Sequence, residues 1–284
     1  MNVVARLCGG VGNQLFQFAM ARRLAMAHRA ELQFDDGALK RDAKRKFQLA
    51  AFAFPARVPV CTLPDKPANT AWWWPKALAM DELREKHFHF DPDAAAAKPH
   101  RSVRVAGYWQ SEKYFQDIES QIRDDLQITL PLNAPNSELL EEINRCNAVS
   151  VHFRRGDYVT EPHTAANHGS LPLDYYHRAV ELLARQQTSL QLFVFTDDPT
   201  WAKNNFRPDL PCVFVDINPP DCPAADLRLM SSCRHHVIAN STFSWWGAWL
   251  NPRADKMVLA PRRWFNKGSG STVDLIPPSW RIID

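Results

Sequence analysis

Residues 149–158 read Val149-Ser150-Val151-His152-Phe153-Arg154-Arg155-Gly156-Asp157-Tyr158. Val149, Val151 and Phe153 alternate with Ser150, His152 and Arg154, the period-two pattern of a β-strand. The strand stops at Arg155-Gly156-Asp157, where glycine permits a sharp turn. In an open α/β sheet, ligands bind just beyond the carboxyl ends of strands. Two adjacent guanidiniums at that point offer many fixed donors, a match for the oxygens of a phosphate or diphosphate. The alternative is a structural ion pair in which Asp157 neutralises the arginines.

Outward from this strand the chain alternates. Toward the C-terminus, a helix over 172–186 precedes a strand, Leu190 to Thr196, and Asp198-Pro199 reads as a helix cap followed by proline at the first helical position. Cys212 to Asp216 reads as a strand, Asp226 to Cys233 as a helix and His236 to Ala239 as a strand. Ser241 to Leu250 is helical, and Lys256 to Ala260 is a strand. Toward the N-terminus, Asn136 to Arg145 is a helix, Ser111 to Leu126 is helical and Val103 to Gly107 is a strand. The chain opens with a strand, Asn2 to Leu7, and the turn Cys8-Gly9-Gly10-Val11-Gly12-Asn13. An amphipathic helix over 14–30 follows, with Phe16, Met20, Leu24 and Ala27 at helical spacing, and then a strand, Glu31 to Asp35. Strand, glycine-rich turn and helix form a Rossmann-like opening. Repeating strand–helix units imply parallel sheets, hence an α/β fold. Residues 36–100 are proline- and aromatic-rich and give no clear pattern. Pro131 to Pro135 is the best linker, dividing the chain into 1–135 and 136–284, with a ligand cleft expected between the halves.

The 284 residues are 45% hydrophobic and 23% charged, enough to bury a large core. A formal net charge of +3 without long basic runs argues against a nucleic-acid binder. Six scattered cysteines without a C-x-x-C pair fit reduced thiols of a cytosolic protein rather than a disulfide framework or zinc site. Gly9, Gly10 and Gly12 interrupt the first apolar run, so no secretory leader is expected. No apolar run reaches about 20 residues, so no transmembrane segment is expected. Trp72-Trp73-Trp74-Pro75 suggests a buried or substrate-facing loop, with contact to a bilayer surface as the alternative.

Three further stretches bear chemistry. Asp226 either caps its helix or accepts from the N–H and NH₂ edge of a guanine. Asn240-Ser241-Thr242-Phe243-Ser244 places hydroxyls and unpaired amides at a helix N-terminus, suited to an anion as well as to ordinary capping. Asp197-Asp198 invites a metal, but adjacent carboxylates diverge and no third ligand follows at a regular spacing, so no metal site is expected.

Taken together, GGVGNQLFQFAMARRLA (residues 9–25), VHFRRGDY, FTDDP and DLRLMSSCRHHVIANSTFSWWGAWLN (226–251) resemble the bacterial α-1,2-fucosyltransferases of glycosyltransferase family 11. The resemblance implies a GT-B-like fold, two Rossmann-like domains facing across a cleft, with an acceptor-side domain (1–135) and a GDP-fucose-binding domain (136–284). It implies GDP-β-L-fucose as co-substrate, inversion at the anomeric carbon, and no cofactor or metal. The acceptor would be a glycan ending in galactose, as in lipid-linked surface polysaccharide units, and the protein cytoplasmic or peripheral at the inner membrane face. Carried over residue by residue, Arg154 contacts the donor diphosphate beside Arg155, with His152 near the nucleotide and Asp226 reading the guanine. Ser241, Thr242 and Ser244 face the phosphates and Asn13 lies near the fucose. Arg154, Asp157 and His152 are the candidate catalytic residues, with Asp157 orienting the arginines; Glu161 is a further nearby carboxylate, and no position matches a catalytic base. Competing readings are a fucosyl- or mannosyltransferase of another linkage and a non-catalytic nucleotide-sugar-binding protein.

Overall fold

The structure, a computed structural model, describes residues 1–54, 58–64, 80–266 and 273–284. Trp72-Trp73-Trp74-Pro75 lies outside the described residues. The chain divides into two compact units, Met1–Gln127 and Ile128–Asp284.

Among the described residues, the first unit holds five parallel strands: β1 (Asn2–Arg6), β2 (Glu31–Asp35), β3 (Val60–Cys61), β4 (Asp81–Arg84) and β5 (Val103–Ala106), in the order β3-β2-β1-β5-β4. β3 and β4 come from the stretch without sequence pattern. Both are short, and Asp81, Glu82 and Arg84 carry charge on an edge strand, which hides the periodicity. Ser111 to Leu126, expected as one helical segment, breaks into 3₁₀ turns before a helix at Glu119–Asp125.

The helix Val11–Ala27 starts inside the glycine turn, earlier than expected, and it is buried around most of its circumference rather than along one stripe. Gln14 and Gln17 are buried because each finds backbone partners. Gln14 donates to the carbonyls of Gly9 and Lys46 and accepts from the Gln48 amide. Gln17 accepts from the Cys8 amide and donates to the Gly107 carbonyl. A buried amide side chain is tolerated only when so paired.

Among the described residues, the second unit holds six parallel strands: β6 (Asn147–Phe153), β7 (Leu190–Thr196), β8 (Cys212–Val215), β9 (His235–Val237), β10 (Val258–Pro261) and β11 (Arg281–Ile283), in the order β11-β10-β9-β6-β7-β8. Alternation along β6 sends Val149, Val151 and Phe153 to one face, where they pack with Tyr176, Ala179 and Leu183 of the helix Leu173–Ala184. The other face packs on Leu139 and Ile143 of the helix Ala134–Arg145 and on Leu229 and Met230 of the helix Pro223–Ser232. Trp245, Trp246 and Trp249 of the helix Thr242–Leu250 are buried against one another. Truncating one such ring to alanine costs about 3–5 kcal/mol.

In each sheet the chain leaves a central strand in one direction and later returns on its other side. These reversal points fall between β1 and β5 in the first unit and between β6 and β9 in the second. Crevices outside the carboxyl ends of such strand pairs are where open α/β sheets bind ligands.

Candidate active site

The reversal point of the second sheet is flanked by Arg154, just past β6, and by Asn240 to Ser244, just past β9. Past β6 the chain turns directly into a short helix, Gly156–Thr160. Arg154 pairs with Asp157 (Nη2 to Oδ1, 2.6 Å) and with Asp197 (Nη1 to Oδ2, 2.9 Å), and its guanidinium lies 5.4 Å from the Tyr158 ring centre. Burial pulls Arg154 toward neutrality, but Asp197 and then Asp157 outweigh it and hold the guanidinium charged. A guanidinium carries five N–H donors, so two ion pairs leave donors for an oxyanion.

Tyr158 ties the arginine loop to the serine turn, its hydroxyl donating to the Asn240 carbonyl at 3.1 Å. Ser241 caps the helix Thr242–Leu250, accepting from the Phe243 amide. Ser244 is fully buried, and its hydroxyl accepts from the Ala239 amide and donates to the Ser241 carbonyl. It shapes the turn from beneath. His152 is 4% exposed, and its ring lies 5.5 Å from that of Phe243, the residue two positions past the cap. Its Nδ1 has no hydrogen-bond partner. Burial, reinforced by Arg154, depresses its pKa to about 3, so the ring is neutral near pH 7. A buried ring nitrogen left without a partner is uncommon.

The structure separates the two arginines. Arg155 stacks on Trp201 with 3.6 Å from guanidinium carbon to ring centre and pairs with Asp198 at 3.3 Å. It lines a cavity of about 710 Å³ with Trp201, Arg178, Arg262 and Arg263. Both aspartates read as metal candidates are engaged by the arginine pair. Asp197 also accepts from the Arg155 amide at 2.8 Å, while Asp198 caps the helix Pro199–Asn205 through the Trp201 amide. Sequence reading missed Asp197 as a partner of Arg154 because the pairing depends on register. Phe153 aligns with Thr196, which brings the next residues on each strand side by side.

Asp226 is not a helix cap. Its helix begins at Pro223, so the carboxyl lies within the first turn, where it accepts from Asn218 at 2.8 Å. Asn218 in turn exchanges hydrogen bonds with Asn136. Burial lifts the Asp226 pKa to about 6, opposed only by the Asn218 bond. No sequence signal singled out Asn218. Asn13 belongs to the first unit, where its Oδ1 accepts from Gln110 at 3.0 Å. Among the described residues, no helix is long and apolar enough to cross a membrane.

Comparison with known proteins identifies the family and the fold. The chain is 34% identical to the O-antigen biosynthesis glycosyltransferase WbnK of Escherichia coli, covering 94% of this chain and 97% of that protein. It is 30% identical to an alpha-1,2-colitosyltransferase of Escherichia coli, covering 99% of each. The fucosyltransferase NodZ from Bradyrhizobium shares the fold, with a TM-score of 0.53 at 15% identity over 88% of this chain and 93% of that one. The architecture is GT-B-like, built from two Rossmann-like α/β units. Residues 95–283 match the profile of Glycosyl transferase family 11, and with relatives this similar over their full length the chain belongs to that family.

Proposed function

We propose that this protein transfers L-fucose from GDP-β-L-fucose, with inversion, to the 2-hydroxyl of a galactose ending a glycan acceptor. The observation that carries the reading is the pairing of Arg154 with a capped helix N-terminus at the reversal point of the second sheet, joined through the bond from Tyr158 to Asn240. As the sugar–phosphate bond breaks, charge builds on the β-phosphate. Arg154 and the amides around Ser241 and Thr242 are fixed donors for that charge, while Arg155, expected beside Arg154 on the donor, turns away onto Trp201. Ser244 holds their turn in shape. Asp157 orients Arg154 through its ion pair. Neutral His152 offers a hydrogen bond to the nucleotide, and Asp226 accepts from the guanine edge. Residues 136–284 would hold the donor; residues 1–135 would hold the acceptor, with Asn13 near the fucose.

Family membership and the α-1,2 linkage in a relative's name support the linkage. The O-antigen relative supports a lipid-linked polysaccharide unit as acceptor. The colitosyltransferase relative also favours a second donor reading, colitose in place of fucose. Purified protein incubated with GDP-fucose, GDP-colitose or GDP-mannose and galactosides decides among these through GDP release and the product linkage by NMR. The expected result is an α-1,2-fucosyl product, formed equally well in EDTA. Binding of GDP without turnover on any acceptor would refute an enzymatic role.

A further inference from the structure

Tyr158 closes a triangle of contacts at the reversal point of the second sheet. It sits on the short helix Gly156–Thr160, and its ring stacks on that of His168, with centroids 5.0 Å apart and planes 16° from parallel. The Arg154 guanidinium lies over the Tyr158 ring, 5.4 Å from its centre. The Tyr158 hydroxyl donates to the Asn240 carbonyl at 3.1 Å. The Asn240 side chain, 1% exposed, donates in turn to the carbonyls of His168 at 3.3 Å, Gly169 at 3.1 Å and Trp264 at 3.2 Å. Tyr158, His168 and Asn240 thereby hold one another, and Arg154 rests against the tyrosine corner.

The triangle fixes the cation relative to the serine turn. The Asn240 carbonyl and the Ser241 N–H belong to one planar peptide unit. Tyr158 holds its carbonyl end, and the Ala239 carbonyl accepts from its N–H end at 2.8 Å. The unit cannot rotate without breaking a bond, and it leads directly into the cap of the helix Thr242–Leu250. On the other side, the π face of a tyrosine attracts a guanidinium and limits where a long side chain can go. Burial, reinforced by Arg154, holds the His168 pKa below its ordinary value against the pull of Asp157 and the Trp264 backbone. A neutral imidazole stacks on Tyr158 without repelling Arg154. Asp157 and Asp197 pair with the guanidinium; Tyr158 meets it as well and also bonds the serine turn.

Resting on the proposed transferase reading, we propose that Tyr158 is a positioning residue that sets the Arg154 guanidinium against the amides of the serine turn. Both sets of donors then meet the charge that develops on the donor's β-phosphate. Tyr158 acts through Arg154 and touches no reacting atom. The role uses both parts of the side chain, the ring toward Arg154 and His168 and the hydroxyl toward Asn240.

The test measures kcat, KM for GDP-fucose and Tm in wild type, Tyr158→Phe, Tyr158→Leu, Arg154→Ala and the double variant Arg154→Ala/Tyr158→Phe. A misplacement of about 1 Å can cost about 100-fold in rate. Tyr158→Phe keeps the ring and loses the tie to Asn240, so kcat should fall about tenfold with KM within about threefold of wild type. Tyr158→Leu loses both contacts and should fall at least about 100-fold; if it does not fold, Tyr158→Phe decides. Once Arg154 is gone there is nothing left to position, so in the Arg154→Ala background Tyr158→Phe should lower the residual kcat by less than about threefold. A merely structural role would lower Tm and cost the same factor in both backgrounds, which overturns the proposal. A Tyr158→Phe kcat within about threefold of wild type, or a raised KM with kcat unchanged, also overturns it. If Tyr158→Phe is fully active while Arg154→Ala is inactive, only the Tyr158 assignment falls. If wild type transfers no sugar, the transferase reading falls and takes Tyr158 with it.

Discussion

Arg154 combines partial burial, two aspartate partners and a position at a strand end, and on the proposed reading it meets the donor diphosphate. Losing one preorganised donor of this kind costs about 10²–10³ in rate. Arg154→Ala should lower kcat by at least about two decades with the circular dichroism spectrum unchanged, and lysine should rescue little because it lacks the planar fork. Turnover close to wild type would remove Arg154 from the mechanism. Asp226 makes a second prediction, with a sign that can be worked out. Its folded pKa, about 6, lies above that of an unfolded aspartate, so between about pH 4 and 6 the native state binds more protons. Its stabilising contribution is therefore present in acid and lost as pH rises through about 6. Asp226→Asn escapes that loss, so at pH 8 and without nucleotide its Tm should rise by about 2 °C or more. On the proposed reading, in which Asp226 accepts from the guanine edge, the same change removes a charge-assisted hydrogen bond, and GDP affinity should fall about 10–100-fold. A lower Tm with unchanged affinity would contradict both arguments.

At the scale of elements, the short helix Gly156–Thr160 is fitted against the end of β7. A Cβ on Gly156 would lie 2.6 Å from Asp197 Oδ2, the atom paired with Arg154. In an ordinary helix, glycine to alanine stabilises by about 1 kcal/mol. Here Gly156→Ala should instead lower Tm and reduce kcat at least about tenfold, since small displacements of a positioning group are costly. Thermal melts and GDP-release rates check both signs. The strand-to-helix punctuation was legible in places: Asp198-Pro199 caps its helix, and Ser241 caps the helix Thr242–Leu250. The Asp226 helix misled because Pro223 at its start lies beyond the polar signal at Asp226, and a proline followed by two alanines resembles a loop. β3 was illegible because its two residues, Val60 and Cys61, are too few to show a period, and β4 because a short, charged edge strand has no apolar alternation to read.

Each unit carries its own sheet and core, and at the scale of the whole molecule this makes their stabilities separable in principle. On the proposed reading, GDP held by the second unit would stabilise that unit by mass action, by about 2.7 kcal/mol at a ligand concentration of 100 Kd. Scanning calorimetry with and without GDP should resolve two transitions, of which one moves upward with nucleotide and the other stays in place. Asp226→Asn should reduce the shift of the mobile transition. Equal shifts of both, or a single cooperative transition, would show that the units unfold together.

Chain order by itself determined the α/β class, the two-part organisation, the strand carrying Arg154 and the serine turn, because these are local patterns: period two, helical spacing, caps and glycine turns. The motifs that mark the family are likewise contiguous runs of residues. Tertiary structure alone decided the partners. Asp197 meets Arg154 through the register of β6 with β7, and Arg155 turns away onto Trp201. Asn218 finds Asp226 across a loop, and Glu85 grips the amides of Tyr108 and Trp109 from the neighbouring strand. The physical reason is that period and propensity act between residues close in sequence. Ion pairs, buried polar partners and shifted pKa values arise between residues far apart in the chain that only packing brings within a hydrogen bond.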